Sequence, residues 1–183
     1  HERVPGGSSS GSGVAVASGM AMCATGSDTG GSIRLPAAYC GLAGLKVSKA
    51  CLPTDGIMPL SNSLDTPGPM ARSVQDLALM FAIMSGVPSM DIDRDMTEMD
   101  GLADTKLSIL KGLRLGVLEP AERQVCNPAM LASYDAALNL LEPLGAELEI
   151  FKAPEPYREM ADANGAITIY EGYLNHHEMY ENL

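Results

Sequence analysis

The chain has 183 residues, 46% of them hydrophobic and 19% charged, the values of a single globular domain with a core rather than of a disordered segment. Twelve Lys and Arg against 23 Asp and Glu leave a net charge of −11, which excludes a nucleic-acid surface because phosphate binding needs clustered basic charge. No apolar run approaches the roughly 20 residues that span a bilayer, so the expectation is a cytoplasmic protein without a membrane partner.

The chain opens on His1-Glu2-Arg3 with no Met, as a processed or truncated chain does. Residues 1–56 hold 11 of the 19 Gly and a net charge of +1, so residues 57–183 carry −12. The run Gly6-Gly7-Ser8-Ser9-Ser10-Gly11-Ser12-Gly13 leads straight into the small, apolar segment 14–22. A flexible linker does not alternate with packed segments in this way. The segment 14–22 reads as a buried helix capped by Ser10 or Ser12, with its backbone N–H groups aimed at the Ser-rich loop. Met20 and Met22 are expected in the core, as are Met80 and Met84. A second Gly-rich turn follows over 26–34.

Ser73-Val74-Gln75-Asp76 resembles a capping box, and Val74, Leu77, Ala78 and Phe81 follow at helical spacing. Gly86 and Pro88 supply the stop, which predicts a helix over 74–85. Residues 87–106 are acidic and Met-rich and read as an exposed connection. Asp91, Asp93 and Asp95 lack the central Gly and terminal Glu of a calcium loop. Leu113, Leu115 and Val117 alternate as a strand, and so do Ala146, Leu148 and Ile150. Between them Asn127-Pro128 starts a helix with the stripe Met130, Leu131, Tyr134, Leu138 and Leu141, ended by Gly145. Strand–helix–strand at this spacing is a βαβ unit with parallel strands. The tail 157–183 reads as a helix with Tyr157, Met160, Ala161 and Asn164 on one face.

Cys23, Cys40, Cys51 and Cys126 form no C-x-x-C pair and read as reduced thiols, Cys23 and Cys40 in apolar surroundings. Adjacent His176 and His177 point about 100° apart on a helix and rarely share an ion, so no metal and no cofactor is expected.

The chemistry concentrates in the Gly/Ser region. Ser32 follows Gly30-Gly31, where unobstructed backbone N–H groups can converge on one point as an oxyanion hole requires. Ser8 also follows Gly-Gly. A serine needs a base to become a nucleophile, and the nearest acidic candidate in sequence is Asp28.

Pro5 to Ser12, then Gly26-Ser27-Asp28-Thr29-Gly30-Gly31-Ser32-Ile33-Arg34, Cys40 to Lys46 and Pro59 to Ser73 together resemble the amidase signature family. The likeness is close over 3–86 and loose over the βαβ portion. It implies an α/β fold with a mixed, largely parallel sheet and helices on both faces, incomplete here at both ends. The expected organisation is one domain fragment with a signature core over 1–86, a connection over 87–112, a βαβ unit over 113–151 and a helical tail over 152–183.

The resemblance also implies hydrolysis of a carboxylic amide by a Ser–cis-Ser–Lys triad. Ser32 matches the nucleophile, and Ser8 matches the bridging serine that follows a cis peptide. The N–H groups of Thr29, Gly30, Gly31 and Ser32 match the oxyanion donors, with Ser9, Asp28 and Arg34 as supports of the two loops. The family's lysine lies upstream of the Gly/Ser block, and Lys46 falls in a later Gly-Leu-Lys segment that is not the base. The chain alone is therefore expected to be impaired or inactive. The implied partner is a small amide, with the oligomeric state, homodimer included, left open. Two other readings are the glutaminase component of an amidotransferase and a non-catalytic remnant.

Overall fold

A computed structural model describes residues 3–86 and 110–181. The expected connection over 87–106 and its Asp91, Asp93 and Asp95 lie outside the described residues. The chain divides into two compact units, one formed by 1–93 with 161–183 and the other by 94–160.

In the first unit, α1 spans Ser10–Ala17, β1 Cys23–Ser27, α2 Arg34–Cys40, β2 Ala43–Gly44, β3 Pro67–Ala71 and α3 Val74–Met84. The sheet order is β1-β3-β2, with both pairings antiparallel. Every residue of β3 is buried, and Ile33, Ala37 and Met70 form the core beneath the two Gly-rich loops. Val16 of α1 is also fully buried. At Gly68 an added Cβ would sit 2.2 Å from the Leu45 carbonyl oxygen, so only glycine lets β3 run this close to the segment after β2.

α1 departs from expectation at both ends. It starts at Ser10, so Ser9 stands at the N-cap position, and no side chain caps it. Ser12 Oγ instead donates to the Thr25 carbonyl at 2.8 Å, tying α1 to β1. The helix stops at Ala17 because Gly19 turns left-handed at φ +77°, with its N–H donating to the Val16 carbonyl and Met20 N–H donating to the Ala15 carbonyl. The Arg72 guanidinium then donates to the Val16 and Ala21 carbonyls, closing the C-terminal end. Met20 and Met22 consequently lie beyond the helix and are 80% and 78% exposed, not core residues. Met80 and Met84 are half-buried. Cys23 and Cys40 are half-buried thiols, and Cys51 is exposed.

α3 matches its expected span. The Ser73 side chain accepts from Asp76 N–H, and Gly86 at φ +74° follows the last turn.

In the second unit, β4 spans Arg114–Leu118, a short α4 Pro120–Arg123, α5 Pro128–Leu141 and β5 Glu147–Phe151. β4 and β5 pair in parallel from Arg114 opposite Glu147 to Leu118 opposite Phe151, which is the expected βαβ unit. Asn127 accepts from Met130 N–H as the N-cap of α5. Of the stripe, Leu131, Tyr134, Leu138 and Leu141 turn inward, while Met130 is exposed. Tyr134 accepts from Leu118 N–H and carries the Arg123 guanidinium over its ring at 4.9 Å. The fold is mixed α/β. Among the described residues β4 and β5 pair in parallel, and β1, β3 and β2 pair antiparallel.

The last helix, α6, spans Tyr157–Glu181 and belongs to the first unit from Ala161 onward. No helix among the described residues is long and apolar enough to cross a membrane.

Candidate active site

β1 delivers the chain into the second Gly-rich turn, and Asp28 organises that turn. Its side chain has no solvent exposure, and its N–H donates to the Thr66 carbonyl at 2.8 Å. Asp28 Oδ1 accepts from Gly31 N–H at 2.7 Å and from Arg34 Nη2 at 2.9 Å. Oδ2 accepts from Ile33 N–H at 3.2 Å, Arg34 N–H at 3.3 Å and Arg34 Nε at 3.0 Å. The 28–34 segment thus curls around one carboxylate, which also satisfies N–H groups at the start of α2. Burial alone would raise the Asp28 pKa. The Arg34 guanidinium and the backbone donors of Gly31, Ile33 and Arg34 outweigh it and hold the carboxyl at about 2. The hydrogen bond to Asp28 in turn raises the pKa of Arg34. Gly31 takes φ +118°, a conformation L residues rarely adopt, and this bend presents Ser32.

The first Gly-rich loop meets this turn through Ser9. Its N–H donates to the Ser32 carbonyl at 3.2 Å, and its Oγ donates to the Ser27 carbonyl at 3.5 Å. The Gly7–Ser8 peptide is cis. Ser8 is exposed and Ser32 half-buried. Among the described residues no hydrogen bond joins their hydroxyls; such bonds are often long before substrate binds.

Of the four expected oxyanion donors, Gly31 is spoken for, because its N–H is bonded to Asp28. The N–H groups of Thr29, Gly30 and Ser32 make no hydrogen bond among the described residues. Lys46 Nζ donates to the neighbouring Val47 carbonyl at 3.3 Å and, among the described residues, makes no hydrogen bond to Ser8 or Ser32.

Residues to which the sequence reasoning gave no role at the 28–34 turn surround it. Asp65 Oδ1 accepts from Thr29 Oγ1, and its Oδ2 accepts from the N–H groups of Leu60 and Ser61. Lys49 Nζ donates to the carbonyls of Asn62 and Asp65. Asn164 Nδ2 on α6 donates to the Thr29 carbonyl at 3.1 Å. Further along α6, Glu171 accepts from the hydroxyls of Ser61 and Ser63 and from Ser63 N–H. Those bonds, with Lys49 adding a favourable charge, lower the Glu171 pKa. Asn175 Nδ2 donates to the Leu60 carbonyl, and His176 Nε2 lies 2.7 Å from the Pro59 carbonyl oxygen. A cavity of about 390 Å³ opens beside β1, lined by Ser27, Leu52, Ile57, Pro67 and Met84 among others, and neither Ser8 nor Ser32 lines it.

The family model described as Amidase matches residues 1–182. The chain belongs to the amidase family. A curated relative, a glutamyl-tRNA(Gln) amidotransferase subunit from Methanospirillum hungatei, is 43% identical over 147 residues, covering 80% of this chain and 33% of the relative. The solved glutamyl-tRNA(Gln) amidotransferase subunit from Thermotoga maritima superposes with a TM-score of 0.77 at 30% identity, covering 95% of this chain and 38% of that one. The solved peptide amidase of Stenotrophomonas maltophilia does so with a TM-score of 0.69 at 31% identity, covering 97% and 37%. This amidase-family chain thus spans about a third of the length of the curated relatives it matches.

Proposed function

We propose that the protein hydrolyses a carboxylic amide through an acyl-Ser32 intermediate. One observation carries this reading: the turn 28–34, wrapped around the buried Asp28 carboxylate, presents Ser32 beside uncommitted backbone N–H groups of Thr29, Gly30 and Ser32. In this reading Ser32 Oγ attacks the amide carbonyl carbon while its proton passes to Ser8 Oγ. The Ser8 proton passes to a neutral lysine that the family resemblance places upstream of the Gly/Ser block, and burial is what lowers a lysine pKa enough for this role. The oxyanion accepts from the free N–H groups. Collapse breaks the C–N bond, the departing nitrogen takes the proton back, and water then releases the acid from Ser32 by the same relay.

The test is ammonia or amine release from a panel of amides by the complete protein and its Ser32→Ala variant. Turnover that disappears with the hydroxyl supports the assignment, and turnover that survives the substitution removes Ser32 as nucleophile. A second reading is favoured by the names of the Methanospirillum hungatei and Thermotoga maritima relatives. In it the amide is glutamine, and the ammonia is consumed by a partner protein. Glutamine hydrolysis that rises on adding the other amidotransferase components selects this reading. Hydrolysis of simple amides without any partner selects the first.

A further inference from the structure

The oxyanion turn carries a contact from far along the chain. Asn164 lies 135 residues after Thr29, and its Nδ2 donates to the Thr29 carbonyl at 3.1 Å. That carbonyl and the Gly30 N–H belong to one planar trans peptide and point in opposite directions. Whatever holds the Thr29 oxygen therefore also aims the Gly30 hydrogen. We propose that Asn164 is a positioning residue that fixes the Thr29–Gly30 peptide so that Gly30 N–H is presented to the oxyanion, an inference resting on the amidase reading above.

Three further features support it. The carboxamide lies flush against Gly30, since a Cβ built there would fall 2.8 Å from Asn164 Oδ1. Thr29 is gripped from a second direction by its Oγ1 bond to Asp65, which anchors the residue while Asn164 holds its carbonyl. Asn164 itself sits on a pinned helix. Glu171, Asn175 and His176, two to three turns further along α6, bond to the 59–63 segment. The same 59–65 segment supplies Asp65, so the two grips on Thr29 share one support. Gly30 N–H has no partner of its own among the described residues, so its direction is set by these neighbours.

The experiment compares the complete protein with its Asn164→Ala and Asn164→Asp variants. For Asn164→Ala, kcat is expected to fall about 10- to 100-fold with KM unchanged, short of the roughly 10²–10³-fold seen when an oxyanion donor is removed outright. Affinity for an acyl aldehyde, which forms a tetrahedral hemiacetal with the nucleophile, should fall by the same factor. Asn164→Asp keeps the shape, but its carboxylate cannot donate to the Thr29 carbonyl. Its kcat relative to wild type should be lowest at neutral pH and recover as the new carboxyl is protonated into a donor.

A merely structural asparagine would show neither the aldehyde effect nor the pH-dependent recovery. Wild-type kcat and aldehyde affinity in both variants would overturn the proposal. A loss that follows only a lowered thermal midpoint, with no pH recovery in Asn164→Asp, would overturn it too. Failure of the amidase reading looks different, because the wild-type protein would then show no modification of Ser32 by a fluorophosphonate.

Discussion

Asp28→Asn tests the organisation of the turn over residues 28–34. The carboxylate receives three backbone N–H groups and two guanidinium N–H groups with no solvent access of its own. A carboxamide keeps the shape but turns one acceptor into a donor, which then faces either Gly31 N–H or the N–H groups of Ile33 and Arg34. Breaking a buried charged pair costs about 3–5 kcal/mol. The Arg34 side chain is 55% exposed and can rehydrate, which puts the expected loss at neutral pH near the lower end, about 3 kcal/mol.

The pH dependence follows from the same geometry. The folded-state pKa is about 2 against an ordinary value of 3.8, so the unfolded chain binds the proton more tightly. This carboxylate therefore stabilises the fold fully above about pH 5, and the contribution, about 2 kcal/mol, is lost as pH falls to about 2. Urea unfolding of the complete protein and the variant across pH 7 to 2 is the assay. The gap between them should shrink by about 2 kcal/mol over that range, other carboxylates cancelling in the difference. A gap that stays constant with pH, or no gap at pH 7, would refute the reasoning.

Two other expectations concern the loops around the turn. Ser8→Ala removes an exposed hydroxyl, so stability should be unchanged while amide turnover falls about 10²–10⁴-fold, the range for a proton-transfer group. Near-normal turnover would take Ser8 out of the relay. Glu171→Gln weakens the grip of α6 on Ser61 and Ser63, and amide hydrogen exchange at Ser63 should become faster. In the wild type the same loosening should set in as pH falls below the usual glutamate range, since Glu171 holds its charge to lower pH than a free side chain. Unchanged protection at Ser63 in the variant would contradict this picture.

Much of the secondary structure is legible in local signals. α3 carries its own cap at Ser73, an apolar repeat and a glycine stop, and the βαβ unit shows a change of period from two to 3.6 and back. α1 is harder to place because its first turns are Gly11, Ser12 and Gly13, which have low helix propensity. The helix forms there because Gly13 lets α1 lie against α2, where an added Cβ would meet Pro36 Cβ at 3.2 Å, and that contact is absent from local sequence. Met20 and Met22 follow a helix that ends early, so their apolar character is no guide to burial.

At the candidate site, the Gly/Ser motifs single out Ser8, Ser32, Asp28 and Arg34 as candidates. They do not show that Gly31 N–H is consumed by Asp28, which depends on how tightly the turn curls. The contacts of Asp65 and Asn164 with Thr29 are not legible in the sequence for another reason. They reach Thr29 across 36 and 135 residues, and no spacing rule links a helix in the tail to a turn near the start.

The central claim is that Ser32 is an activated nucleophile, and covalent labelling tests it most directly. The complete protein would be treated with a fluorophosphonate, digested, and the adduct located by mass spectrometry. One stoichiometric adduct on Ser32 is predicted, absent from Ser32→Ala and suppressed by a competing amide. An unmodified Ser32, or an adduct on another serine that persists in Ser32→Ala, would contradict it.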